Sequence, residues 1–484
     1  MSEYRTFARR VGLVGFTSIL TRLSSLILLP VLTKTLPVEQ YGVWAMVWVS
    51  IALIPIIASF GLPSAMIRFL AAETEKEEIA SGFYSTVFYV SIGAILSGSV
   101  VFLYSGELAS LVFGGNMEVV RIMAVIVFLE CLNRVFLLYF SARQKMRKYS
   151  FLAFVKAYST VGFVTYFVLS GYGIIGAVGG LLISSSILAL ITSSMIVREI
   201  GISFRLSKRV KEYFAFGLPL IPAHLSSWFV NSSDRYIIGL LMGVSFVGYY
   251  SPGYALGMLV AMIIAPLGLM LPPALSKEYD NGNLDAVRKI LQYSFKYFVA
   301  IAVPAVVGLS LLSYRLLVIL STEQIAANAY QITPLIATSA LALGLYTILS
   351  RGIVLRKRTK ITGTIWITAA VVNVGLNIIL IPIFGITGAA LTTLIAFVIA
   401  LGLNSYFSLK FVPFEIDFVF LLKSIVASAA MSIPLFLVET DGLIQLMALI
   451  IIASAIYFLL LLVMKGIRRE EIRFFMGLAG IRIS

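Results

Sequence analysis

One cysteine (Cys131) and one histidine (His224) are all that the 484 residues contain of either type. An intramolecular disulfide framework is excluded, and so is a His/Cys metal cluster. Charge is scarce: Asp, Glu, Lys and Arg make up 12% of the chain, about half their share in a soluble domain. HExxH, a Walker loop and GxSxG are all missing, which argues against an ATP-driven pump with its own nucleotide domain. No segment reads as a soluble domain.

What the chain has is apolar length. Hydrophobic residues are 60% of it, and runs of about 20, enough to cross a bilayer, recur throughout. The fold class expected is an all-α polytopic membrane protein with about fourteen spans. They lie near 11–34, 41–69, 81–104, 119–142, 151–171, 174–197, 213–241, 246–275, 291–313, 328–354, 361–381, 386–407, 418–438 and 443–464. The first run follows Arg5, Arg9 and Arg10, is broken by Thr21-Arg22 and lacks a small-residue cleavage site; it reads as a retained helix.

The net charge of +15 has a placement that argues against nucleic acid. Counting spans alternately from a cytoplasmic N-terminus puts 26 of the 37 Lys and Arg on inner segments, densest at 143–148, 198–211, 356–360 and 465–482. Only Lys34 and Arg315 fall on outer loops. That bias predicts a multi-pass protein of the cell (cytoplasmic) membrane with both termini cytoplasmic.

Two halves echo each other. Gly173-Ile174-Ile175-Gly176-Ala177 returns as Gly385-Ile386-Thr387-Gly388-Ala389, and PVEQYGVW at 37–44 is echoed by GVSFVGYY at 243–250. The offsets enclose six spans, so the halves share a topology about an axis along the membrane normal. The expected organisation is a six-helix lobe over 1–200, a second over 213–407, two further spans over 418–464, and a cytoplasmic tail at 465–484. Pro55, Pro63, Pro219, Pro222, Pro252, Pro266 and Pro304 fall in or near spans, where they serve as bending points.

The seventh span carries the most telling pattern. His224, Ser227, Asn231 and Asp234 fall at i, i+3, i+7 and i+10, one face of a helix, with Arg235 directly after. A polar stripe is costly against lipid, so it faces either a neighbouring helix or a water-filled pathway.

With these residues in view, the chain resembles the polysaccharide-flippase (Wzx-type) branch of the MATE/MurJ-like MOP exporter superfamily. The resemblance is carried by Leu36-Pro37-Val38-Glu39-Gln40-Tyr41-Gly42, Gly217-Leu218-Pro219-Leu220, Asn231-Ser232-Ser233-Asp234-Arg235-Tyr236 and Val247-Gly248-Tyr249-Tyr250-Ser251. It implies two six-helix lobes around a central cavity and two extra C-terminal helices. It also implies transfer of a polyprenyl-diphosphate-linked oligosaccharide from the inner to the outer leaflet, for surface polysaccharide or glycan biosynthesis. Partners implied are that cargo, membrane lipids and glycan polymerase or glycosyltransferase machinery. No cofactor is expected; coupling falls to Na⁺, H⁺ or the membrane potential.

Charges within spans are the candidate cargo contacts, each costing about 2.5–3.5 kcal/mol at mid-helix on insertion scales. For the diphosphate these are Arg22, Lys156, Arg134, Arg68, Arg351 and Lys296, with Arg22 and Lys156 read as the deepest unpaired cations. Glu130 and Arg134, at i and i+4, are expected to pair. For the glycan, or as a gate, the candidates are Asn231, Asp234, Arg235, Asn373 and Asn377, with helix–helix contact as the alternative role. A competing reading is an H⁺- or Na⁺-coupled multidrug or organic-cation antiporter, which wants buried carboxylates; span one has Arg22 and no acid. A peptidoglycan-precursor lipid flippase differs only in cargo. A membrane glycosyltransferase or polymerase would want grouped outer acids, whereas Glu39, Glu107, Glu118, Glu323, Glu439 and Asp441 are scattered.

Overall fold

The computed structural model describes residues 2–440 and 442–466, with side chains for all but 2–13, 265, 266 and 269. The expected tail beyond Gly466, Asp441, and the side chains of Arg5, Arg9, Arg10 and Pro266 lie outside the described residues.

Among the described residues every regular element is a helix. The first half runs α1 (Ser2–Thr35), α2 (Val38–Ala58), α3 (Leu62–Leu70), α4 (Lys76–Leu103), α5 (Ser105–Val112), α6 (Met117–Ala142), α7 (Met146–Phe167) and α8 (Gly173–Ile200). A short α9 (Val210–Gly217) leads into α10 (Ile221–Met242), α11 (Val244–Gly257), α12 (Ile264–Asp280), α13 (Leu284–Leu320), α14 (Glu323–Ala329), α15 (Ile332–Leu355) and α16 (Thr359–Phe411). Two last helices follow, α17 (Phe418–Leu437) and α18 (Leu443–Val463).

Eleven helical stretches are long and apolar enough to cross a membrane. Two of them, Met146–Ile200 with 55 residues and Thr359–Phe411 with 53, are each long enough for two crossings. Outside the eleven stands α10, whose polar stripe lowers its hydropathy. Counted with it, the helices account for the about fourteen spans expected.

Several expected spans are broken where backbone chemistry demands it. The second ends at Ser59, because Phe60 and Gly61 adopt positive φ (52° and 69°), and α3 restarts with Pro63 in its first turn. The seventh opens as a 3₁₀ turn at Leu218–Leu220 before α10, where Pro219 and Pro222 withhold backbone donors. The eighth passes through a 3₁₀ stretch, Met258–Ile263, between α11 and α12.

The internal repeat reaches the backbone itself. Gly173 sits at φ 58°, ψ −144° and Gly385 at φ 61°, ψ −145°, at matching corners of the two halves. This region is open essentially to glycine alone, so the shared Gly-Ile-x-Gly-Ala motif marks the same sharp corner twice.

The largest apolar core joins α1 through α8 and continues into α10, α11 and α14–α16. A separate core packs α17 and α18 against α13. There Tyr457 donates to the Ala300 carbonyl at 2.8 Å and hydrogen-bonds Ser424 at 2.8 Å.

Candidate functional site

One face of α2 lines two cavities in succession. Tyr41, Trp44 and Trp48 recur at i, i+3 and i+7, and Ala52 and Ile56 continue the same stripe. Toward the start of α2, a cavity of about 300 Å³ is completed by Arg22 and Ser25 of α1 and by Ala255, Met258 and Met262. One turn past Trp48, a second cavity of about 290 Å³ is lined by Ala52, Ile56, Arg134 of α6, and His224, Ser227 and Asn231 of α10. Neither cavity has an acidic side chain in its lining. The wall between them is braced: Trp228 donates from Nε1 to the Val49 carbonyl at 3.2 Å, and Tyr236 and Ser50 share a hydrogen bond of 2.6 Å.

The polar stripe of α10 divides between cleft and core. His224, Ser227 and Asn231 reach the second cavity, whereas Asp234 is buried with Arg235 in a closed unit. Asp234 Oδ1 takes the Arg235 guanidinium at 2.8 Å and Oδ2 accepts from the Tyr250 hydroxyl at 2.5 Å. Arg235 also donates to the Asn231 carbonyl at 2.6 Å and stacks 3.6 Å from the Tyr254 ring centroid. Through the Tyr250 hydroxyl and the Tyr254 ring this ion pair fastens α10 to α11.

Asn373 and Asn377 are likewise sealed between helices. Ser233 donates to Asn373 Oδ1 at 3.2 Å, Asn377 donates to the same oxygen at 3.1 Å, and Thr392 donates to Asn377 Oδ1 at 2.5 Å. The last bond ties the two halves of α16 across the Gly385 corner. In this conformation their contacts are helix to helix.

The expected Glu130–Arg134 pair is replaced by another. Glu130 binds Lys156 of α7 and accepts from Ser185 of α8 at 2.7 Å, joining three helices through one carboxylate. A same-helix i, i+4 pair contributes only about 0.2–0.5 kcal/mol, and the cross-helix partner gives a partly buried carboxylate more hydrogen bonds. Lys156 is thus paired, against the expectation that it stands unpaired. Arg134, released from Glu130, faces the second cavity with no carboxylate within 4.0 Å among the described residues. Arg22 also has none in the first.

The other cations lie elsewhere. Arg68, exposed on α3, stacks over Phe216 at 4.8 Å. Arg351 is half-buried on α15, and its Nε finds no hydrogen-bond partner. Lys296 is buried beside α17, its ammonium 4.9 Å over the Phe420 ring, in a third cavity with Lys423 and Lys465. The sequence reading singled out neither Lys423 nor the aromatic stripe Tyr41, Trp44, Trp48. The stripe had a legible signal in its helical spacing.

Comparison with known proteins fits this architecture. The family described as "Polysaccharide biosynthesis protein" matches residues 31–330. A probable low-salt glycan biosynthesis flippase of Haloferax volcanii, Agl15, is 21% identical over 55% of this chain and 57% of its own length. A probable flippase of the same organism, AglR, is 27% identical over 34% of each chain. The chain therefore spans about half and about a third of the curated relatives it matches. A solved structure of the lipid II flippase MurJ in an inward closed conformation superposes with a TM-score of 0.78 at 17% identity, covering 93% of this chain and 97% of that one. The match over residues 31–330 takes in more than half of the sequence, and the protein belongs to the polysaccharide biosynthesis protein family.

Proposed function

We propose that the protein flips a polyprenyl-diphosphate-linked oligosaccharide from the cytoplasmic to the outer leaflet by alternating access between two six-helix lobes, 1–200 and 213–407. Both termini are then cytoplasmic, and the protein is a transporter rather than an enzyme. The observation that carries the reading is the cleft along α2. It presents Arg22 and Arg134, two cations without carboxylate partners among the described residues, and no acid in either lining. A diphosphate brings about two negative charges, and guanidinium donors meet them with charge-assisted, bidentate geometry. Trp48 exposes a broad apolar face in the same cleft, suited to a sugar ring, and Ser25, Ser227 and Asn231 supply partners for hydroxyls. The names of the two Haloferax relatives point the same way.

An antiporter of cations would need a carboxylate at this place to bind the cation or its counter-ion. The only membrane-embedded acids among the site candidates, Glu130 and Asp234, are engaged by Lys156 and Arg235. The test is reconstitution into liposomes with a labelled lipid-diphosphate oligosaccharide and a glycosidase outside. Protein-dependent exposure of the glycan supports the reading. Exchange of ethidium against H⁺ or Na⁺ with no lipid transfer overturns it.

A further inference from the structure

The short helix α14 has one apolar face and one amide face. Ile325, Ala326 and Ala329 are fully buried, and Thr322 caps the first turn by accepting from the Ile325 N–H at 3.3 Å. Gln324 and Asn328, one turn apart, are exposed on the opposite face. Gln331, also exposed, continues the amide row in the turn that leads into α15.

Both ends of this row hold a tyrosine. Gln324 donates from Nε2 to the Tyr249 hydroxyl of α11 at 2.8 Å, and Gln331 donates to the Tyr330 hydroxyl at 3.0 Å. Tyr330 meets Tyr314 of α13 edge to face at 6.1 Å between centroids, and both rings are 40% exposed. Between them Asn328 donates to the Gln324 backbone carbonyl at 2.8 Å. The side-chain oxygens of Gln324, Asn328 and Gln331 accept no hydrogen bond among the described residues.

The row stands just past the closed end of the cleft. Tyr249 directly follows Gly248, where a Cβ would collide with the Val38 carbonyl of α2, and Tyr41 at the start of α2 lines the first cavity. In the topology proposed above, α14 and the starts of α2 and α11 all lie on the outer side. Tyrosines at that level ordinarily form a belt against lipid headgroups. Here two phenols are instead held by protein amides, and none of the six side chains carries a charge. Such a row has nothing to offer a diphosphate. It suits a neutral sugar, whose C–H face stacks on a phenol ring while its hydroxyls exchange hydrogen bonds with amides that both donate and accept.

We propose that this row is an exit subsite for the glycan of the cargo. It receives sugars remote from the diphosphate as the outer end of the cleft opens. The subsite rests on the transfer reading above and deepens it, since transfer of a long glycan then depends on residues that the diphosphate never meets.

The test compares two lipids in proteoliposomes: polyprenyl diphosphate bearing one hexose, and polyprenyl diphosphate bearing a neutral oligosaccharide. Arrival of either sugar outside is read by oxidation with external periodate. Tyr249→Ala/Gln324→Ala is expected to slow the oligosaccharide lipid about fivefold, from the loss of one stacking face and one amide, and to leave the one-hexose lipid at the parental rate. Tyr249→Trp, which keeps a stacking face, should retain most of the oligosaccharide rate. In Asn328→Cys, labelling by an external impermeant maleimide should slow only while the oligosaccharide lipid is being transferred, with little background from the fully buried Cys131. An unchanged oligosaccharide rate in the double alanine variant, equal slowing of both lipids, or maleimide labelling indifferent to the glycan would each overturn the subsite and leave the transfer reading in place. Transfer of neither lipid by the parental protein would overturn the transfer reading itself, and the subsite with it.

Discussion

Gly42 of α2 and Gly248 of α11 lie against each other reciprocally. A Cβ on Gly42 would stand 3.0 Å from the Gly248 nitrogen and collide with the Val244 carbonyl; one on Gly248 would collide with the Val38 carbonyl. Each glycine thus meets the residue four before the other, as expected of equivalent positions in the repeated segments 37–44 and 243–250. Backbones this close require the smallest residue, the usual device where helices pack within a bilayer. A second such contact, Gly61 against Gly217, closes the far end of α2.

The Gly42–Gly248 contact should act as a closure at the end where α2 begins. Gly248→Ala meets backbone rather than a yielding side chain, and overpacking of this kind costs about 1–3 kcal/mol. A cysteine at Trp48 reports on it, since the native Cys131 is fully buried and adds little background. In Gly248→Ala, labelling of that cysteine by an impermeant thiol reagent from the α2-start face should accelerate severalfold. Unchanged labelling would mean that the contact is static packing.

The Glu130–Lys156 pair is expected to hold helices rather than cargo. Glu130→Gln leaves the Lys156 ammonium, 23% exposed, without its anion. Orphaning a fully buried charge costs about 3–5 kcal/mol; here partial exposure brings the expected loss to about 2–3 kcal/mol. Thermal unfolding should show Glu130→Gln/Lys156→Gln to be more stable than Glu130→Gln alone. If the double variant is the weaker one, the pair is not the structural unit described.

Tyr250→Phe isolates the buried Asp234–Arg235 unit without touching either charge. It removes one donor to a carboxylate that is 1% exposed, at a cost of about 1.5–3 kcal/mol. Stability should drop by that amount in denaturation in detergent, with the fold intact. No drop would show that Asp234 Oδ2 has another partner.

Outward movement of a cargo bearing about two negative charges through an inside-negative potential releases about 4–5 kcal/mol per 100 mV. Dissipating the potential in proteoliposomes should therefore slow flipping. A rate that persists through a verified collapse would assign the energy to another source.

The helical class, the span count and the repeat were legible because each is written in local chemistry: apolar length, basic loops, and glycines at fixed offsets. Gly173 and Gly385 show how far that goes: the shared motif was read as a repeat of topology, and the two glycines also share their backbone angles. What was not legible depends on which helix stands beside which. Glu130 has Arg134 one turn away in sequence, and only the packing of α7 on α6 shows that Lys156 takes the carboxylate. Asn373 and Asn377 share a face, as their spacing said, but the occupant of that face is Ser233 of α10 and the second half of α16. Lys423 and Lys465 are 42 positions apart, and nothing local joins them.

The central claim is that Arg22 and Arg134 receive the diphosphate. The most direct measurement is the rate of glycan exposure in proteoliposomes bearing Arg22→Gln, Arg134→Gln or both. Each lost charge-assisted contact is worth about 1.5–3 kcal/mol, so each single variant should slow transfer by at least about tenfold. Arg22→Lys and Arg134→Lys should recover part of the rate. Transfer at the parental rate in the double glutamine variant, with the protein folded and inserted, would contradict the account.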